Sequence, residues 1–326
     1  MAKMTKKRKR LFISLGISIP AAVLIAAAAL LIKFGPLFGF WLIPPSAEAY
    51  GKAALKYIDK NGIYANSDEW DKTYADCLGE VKKASSYEET YEVIKRALSV
   101  GGGKHSMLMS HTDAENTEQS YESVLPTVYM DGNIAVIKLP DFLGSAEAGQ
   151  KYAKIAEEFI HENRNGIKGV VLDLRDNTGG DMGPMATAVS ALLPDGELVY
   201  YHYRSYDVPV TLKDGAVSNA GTGGSALYPA EKLNVPIAIL TNGMTASSGE
   251  ALTLCFRGLE NARTFGAPTA GYTSVNMLYN LYDGAQMYLT AAFDKARTGE
   301  VFEETAITPD VLTDTPLKDA LDWLRS

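Results

Sequence analysis

An α/β fold is what this sequence predicts. Three observations predict it: short apolar runs of strand length, helical periodicities between them, and glycine-rich turns where strand gives way to helix. Ile134–Leu139, Gly169–Leu174, Leu198–Arg204 and Pro236–Thr241 read as strands. Ala146–Ile160 brings Ala148, Tyr152, Ile155 and Phe159 onto one helical face, and Met185–Leu193 and Gly249–Leu259 read as further helices. Strand, helix and strand from Ile134 to Leu174 make a βαβ unit. Tyr279–Tyr282 and Gln286–Ala291, on either side of Asp283-Gly284, read as a hairpin.

Ahead of this core, Ala47 to Ser99 repeats apolar residues at helical spacing, as in Ala54, Tyr57, Ile58 and then Tyr91, Ile94, Leu98. A small helical subdomain over 47–125 is expected, with the core over 126–326. Gly101-Gly102-Gly103 ends its last helix, and His111–Ser123 is polar and reads as a loop.

The N-terminus predicts a membrane anchor. Residues 1–10 carry six bases and no acid, and 11–32 are free of charge. The expected layout is a cytoplasmic tail (1–10), a transmembrane helix (11–33), a linker (34–46) and an extracytoplasmic remainder. A signal peptide cleaved near Ala47-Glu48-Ala49 is the competing reading, disfavoured by the length of the apolar run. Seven of the 31 bases and none of the 39 acids precede residue 47, so the remainder carries a formal charge of −15, which argues against a nucleic-acid partner.

Cys77 and Cys255 are too few for a disulfide scaffold or a metal site, and Cys255 falls on the apolar side of its helix. The four histidines lack metal-ligand spacing. No metal and no cofactor are expected.

Two segments carry chemistry. Asp173-Leu174-Arg175-Asp176-Asn177-Thr178-Gly179-Gly180 follows a buried strand and precedes a helix, where glycine amides can face a ligand or an oxyanion. A tight turn that needs positive φ is the plainer reading. Arg175 fits a structural ion pair with an aspartate better than a substrate carboxylate. Thr245-Ala246-Ser247-Ser248-Gly249-Glu250 is again strand, turn and helix. It would hold Ser247 at the sheet edge, with the Ser248 amide placed to donate, although a serine at a helix start is most often a cap.

Together, in this order, the two segments resemble peptidase family S41, the C-terminal processing and tricorn-core proteases. The resemblance runs from about Asp131 to Thr313. It implies a ClpP/crotonase-like core, peptide or protein substrates, Ser247 as nucleophile, and an oxyanion hole from Ser248 with Gly179 or Gly180. One branch of the family uses a lysine base, but Tyr272 stands at the matching position. Gly266–Thr273 instead resembles the tricorn-like branch, which uses histidine oriented by a carboxylate. Gly103-Lys104-His105-Ser106 matches its upstream motif and nominates His105. Val301–Asp310 matches the segment before its Pro-Asp pair and nominates Glu303, with Glu304 as the alternative because alternation along a strand turns only one of them inward.

The chemistry agrees with that assignment. A hydroxyl needs a base within hydrogen-bond reach, imidazole suits the task, and a carboxylate fixes its tautomer. No peptide-tethering PDZ domain fits in the short stretch between His105 and Ile134. The expectation is a membrane-anchored serine endopeptidase with a Ser-His-Glu triad. The rivals are an inactive S41-fold module that binds a peptide or hydrophobic ligand, and a crotonase-like acyl-CoA enzyme.

Overall fold

The computed structural model describes residues 22–35, 40–120 and 124–326. The chain divides into two compact units.

One unit is helical. Ala47–Asn61, Asp68–Val81 and Glu88–Gly101 are its helices, the first two capped by Ser46 and Ser67, whose hydroxyls accept from the amides of Ala49 and Trp70. Their apolar faces bury Tyr50, Leu55, Trp70, Ile94 and Leu98. The same core takes in Tyr279, Leu281, Met287 and Leu289 from far along the chain. The expected hairpin supplies them, and its Asp283 accepts hydrogen bonds from Tyr50 Oη (2.9 Å) and Tyr91 Oη (2.5 Å). A linear boundary at residue 125 therefore leaves part of this unit in the wrong place. His111–Ser120, read as a loop, is a helix, because Ser110 Oγ accepts the Asp113 amide and caps its start.

The other unit is the α/β core. Its six-stranded sheet runs in the order Val311–Leu312, Ala262–Gly266, Ile237–Thr241, Gly169–Asp173, Ile134–Lys138, Thr127–Asp131, all neighbours parallel except the last pair. Successive residues face opposite ways. Ala135, Ile137, Val170, Leu172, Ile237 and Ile239 join the main core with the helices Ala146–Asn163 and Ser248–Cys255. Ile134, Val136, Val171, Ala238 and Leu240 lie under the C-terminal helix Pro316–Arg325. Burial on both faces explains why these strands read as unbroken apolar runs. An antiparallel meander, Gly196–Tyr203, Asp207–Lys213, Ala216–Ser218 and Gly224–Ser225, is joined on its open side by Ala292–Ala296. Cys77 and Cys255 are both free and buried.

The membrane anchor is corrected. Among the described residues no helix is long and apolar enough to cross a membrane. Residues 1–21 lie outside the described residues, and the described part of the expected span is a helix over 22–34. At 1.5 Å per residue these described turns cover about 20 Å. The transmembrane element of the fold, the membrane as partner, the cytoplasmic N-terminus and the extracytoplasmic placement of the core lose their support with it.

Between the Ala146–Asn163 helix and the 216–225 segment lies a cavity of about 730 Å³. Glu157 forms part of its wall, with Oε1 accepting the Leu227 amide (2.8 Å), and burial pushes its carboxyl up to about 7. A carboxyl that titrates near 4.5 unfolded and near 7 folded costs stability as pH rises through that window. Glu157→Gln keeps the amide acceptor and removes the charge. It should raise stability at pH 8 by about 1–3 kcal/mol and leave it nearly unchanged at pH 4.5, measured by urea denaturation at both values.

Candidate active site

The strands Gly169–Asp173 and Ile237–Thr241 are parallel neighbours, so the two turns singled out in the sequence leave the same sheet edge side by side. They interlock. Ala246 N–H donates to Asn177 O (2.9 Å), Thr245 Oγ1 to Leu174 O (2.8 Å), and Asp176 N–H to Asn242 Oδ1 (3.1 Å). Buried Asn177 organises the glycine turn: its Nδ2 donates to Leu139 O (2.9 Å), and its Oδ1 accepts the Gly179 amide (2.9 Å). Arg175 is held by Asp173 through two hydrogen bonds of 2.8 and 2.6 Å, a structural pair.

Ser247 sits where a helix cap would be but not in a cap's conformation. Ser46, Ser67 and Ser145 cap their helices from extended backbone, whereas Ser247 has φ +51° and ψ −118°. A non-glycine residue in that region is strained, and such strain gathers at functional sites. Gly179, at φ +108°, lies against it: a Cβ on Gly179 would stand 2.8 Å from Ser247 Cβ. With the Gly179 amide committed to Asn177, the amides of Gly180 and Ser248 are the two beside Ser247 that donate to no group among the described residues.

The strained serine is held by Glu250, which is fully buried. Its carboxylate accepts the amides of Ser247 (2.9 Å), Gly271 (2.8 Å) and Tyr272 (2.7 Å) and the hydroxyl of Thr269. The Ser247-x-x-Glu250 spacing of a capping box is the signal the sequence holds for this role. The Tyr272 ring in turn meets the His105 ring edge-on at 5.1 Å between centroids.

His105 follows Gly103, whose φ of +80° turns the chain. Its Nδ1 lies 2.9 Å from Ser274 Oγ, and Ser274 Oγ donates to Glu304 Oε1 at 3.3 Å. Because the Ser274 proton goes to Glu304, its oxygen accepts from Nδ1–H, which leaves a lone pair on Nε2. Glu304 also receives the amides of Lys104 (3.3 Å) and His105 (3.2 Å). Glu303 is exposed. Glu304, at φ +50°, reverses the chain after the Val301–Phe302 strand and turns its carboxylate toward the histidine. Ser274 had no signal in the sequence; it faces His105 only in the folded chain. Burial, opposed by a hydrogen bond to the Ser274 backbone and reinforced by the Lys104 charge, holds the imidazole down to about 4, so it is neutral near pH 7.

A profile of peptidase family S41 matches residues 133–313, more than half of the chain. The nisin-resistance protein of Lactococcus lactis subsp. lactis is 35% identical over 294 residues, spanning 90% of this chain and 92% of that one. The chain belongs to peptidase family S41. This S41 peptidase also resembles a solved lipoprotein of Streptococcus agalactiae, with a TM-score of 0.76 at 32% identity, covering 88% of this chain and 98% of that one. A probable CtpA-like serine protease of Staphylococcus aureus is 26% identical over 192 residues, 59% of this chain and 35% of that one. The S41 chain is a serine-type peptidase, which sets aside the inactive-module and acyl-CoA readings.

Two outcomes follow. Glu250→Gln turns an amide NH₂ toward groups that donate, and should cost about 2–4 kcal/mol in denaturant unfolding while also depressing activity. With His105 as general base, which acts only when neutral, the acid limb of kcat/KM is expected near pH 4 rather than near 6.5. A pH profile from 3.5 to 8 on an active substrate measures it.

Proposed function

We propose that this S41 peptidase cleaves peptide bonds through Ser247 as nucleophile and His105 as general base, in the manner of the tricorn-like, histidine-using branch without a PDZ domain. The observation that carries the reading is the shared carboxylate oxygen: Glu250 Oε2 accepts both the Ser247 amide and the Tyr272 amide, and Tyr272 packs on His105. Base and nucleophile are thereby tied to one anchor. Tyr272 in the lysine position supports the histidine branch.

In this reading His105 Nε2 takes the Ser247 proton as Oγ attacks the carbonyl carbon, and an acyl-enzyme forms. The Gly180 and Ser248 amides receive the oxyanion. Positive charge on the imidazole is spread through Nδ1–H to Ser274 Oγ and on to Glu304, a carboxylate acting through an interposed hydroxyl rather than directly. Glu304 replaces Glu303 in that role. His105 then protonates the leaving amine and activates water.

The substrate is a peptide, and nisin is the first candidate because a relative aligned over most of both chains is a nisin-resistance protein. The core's acidic balance supports a basic peptide over an acidic one.

Purified protein should be labelled by a fluorophosphonate and should yield new fragments of nisin in mass spectra. Ser247→Ala should abolish both. Glu304→Ala should slow labelling by about 10²-fold or more, while Glu303→Ala should stay within about threefold of wild type. Wild-type protein that neither labels nor cleaves would refute the reading.

A further inference from the structure

We infer that the Ser248 side chain is a positioning residue that couples the two halves of the oxyanion hole. The proposal rests on the reading above, in which the Gly180 and Ser248 amides receive the oxyanion. It assigns to the Ser248 hydroxyl a task separate from that of its amide.

The two donors come from different turns. The Ser248 amide opens the Ser248–Cys255 helix, whereas the Gly180 amide belongs to the glycine turn after the Gly169–Asp173 strand. Two donors must hold a fixed separation to receive one oxygen, and about 0.5 Å of slack weakens both. Gly180 is exposed, has φ +97°, and follows a second positive-φ glycine, so its own backbone resists displacement poorly.

On one side it is held by the Phe142 segment: Gly179 O accepts the Phe142 amide (3.1 Å), and Phe142 O accepts the Asp181 amide (2.7 Å). Among the described residues, the hydrogen bond that joins Gly180 to the Ser248–Cys255 helix is Ser248 Oγ donating to Gly180 O at 2.6 Å. The residue that offers one donor amide therefore grips, through its hydroxyl, the residue that offers the other.

The adjoining turn is buttressed too. The Asp181 carboxylate accepts Gly183 N–H (2.9 Å), Thr222 N–H (3.1 Å) and Thr222 Oγ1 (2.5 Å), which fixes the exit of the turn from the far side. Gly180 is then the single link between a braced exit and the Ser248 tie.

Ser248→Ala removes the hydroxyl and keeps the amide, at a helix position where alanine is well tolerated. Full-length wild type, Ser247→Ala, Ser248→Ala and Ser248→Thr would be compared by time-resolved fluorophosphonate labelling, which separates the maximal rate from the half-saturating probe concentration. Thermal melting would confirm equal folding.

The expected result is a maximal rate about tenfold lower in Ser248→Ala, less than the 10²–10³ of losing a donor outright, with half-saturation within about twofold. Ser248→Thr should recover the rate to within about threefold of wild type, because it restores the donor. If Ser248→Ala labels at the wild-type rate while Ser247→Ala does not label, the positioning role is overturned and the nucleophile stands. A loss confined to half-saturation, or one that threonine leaves unrepaired, overturns it as well. Absence of labelling in wild type overturns the nucleophile and this role together.

Discussion

A single buried carboxylate organises this peptidase. Glu250 sits at zero exposure and gathers three backbone amides and a hydroxyl from two chain segments, the Ser247 turn and the run from Thr269 to Tyr272. A buried carboxylate is tolerable only with such a complement of donors. Its partners are mostly main chain, so it fixes backbone rather than side chains. One of them is the amide of Ser247, whose φ of +51° would otherwise relax. The strain at the serine, roughly 1–3 kcal/mol by general experience, is thus offset within three residues of where it arises.

From this anchor the site spreads in two directions. Toward the histidine it passes through Tyr272 to His105, Ser274 and Glu304. Toward the glycine turn it passes through Ser247 to Gly179, where even a methyl group would collide with the serine. Among the described residues, five non-glycine positions have positive φ, and Asp176, Ser247 and Glu304 are three of them. All three stand in turns that build the site, while Asp214 and Asn219 stand near the tips of the antiparallel meander. Conformational strain is concentrated where chemistry needs unusual directions.

Much of this was legible in the sequence, and the reasons differ from element to element. Strands buried on both faces announce themselves as apolar runs, which is why Gly169–Asp173 and Ile237–Thr241 are found within a residue of expectation. Asp207–Lys213 carries no clear strand signal because Pro209 interrupts it, and Ala262–Gly266 none because Ala-Arg-Thr-Phe-Gly holds neither an apolar run nor an alternation. In the site, the glycine turn, Ser247 and His105 stand out as short motifs. Ser274 does not, since its meaning comes from a partner 169 residues away. The choice between Glu303 and Glu304 turns on one backbone angle at Glu304, which no side-chain pattern encodes. The anchor expectation rested on the composition of residues 11–33, and among the described residues no helix is long and apolar enough to cross a membrane.

The hairpin that completes the helical unit bears on the order in which the chain acquires structure. Tyr279, Leu281, Met287 and Leu289 fill the core beneath helices that end at Gly101. During synthesis those helices emerge with their shared cavity unfilled, and roughly 180 further residues must leave the ribosome before the missing side chains arrive. The N-terminal unit is first in sequence and cannot be first to mature. Its stability is deferred until most of the peptidase core has been made, which links the soundness of the leading helices to faithful completion of the chain.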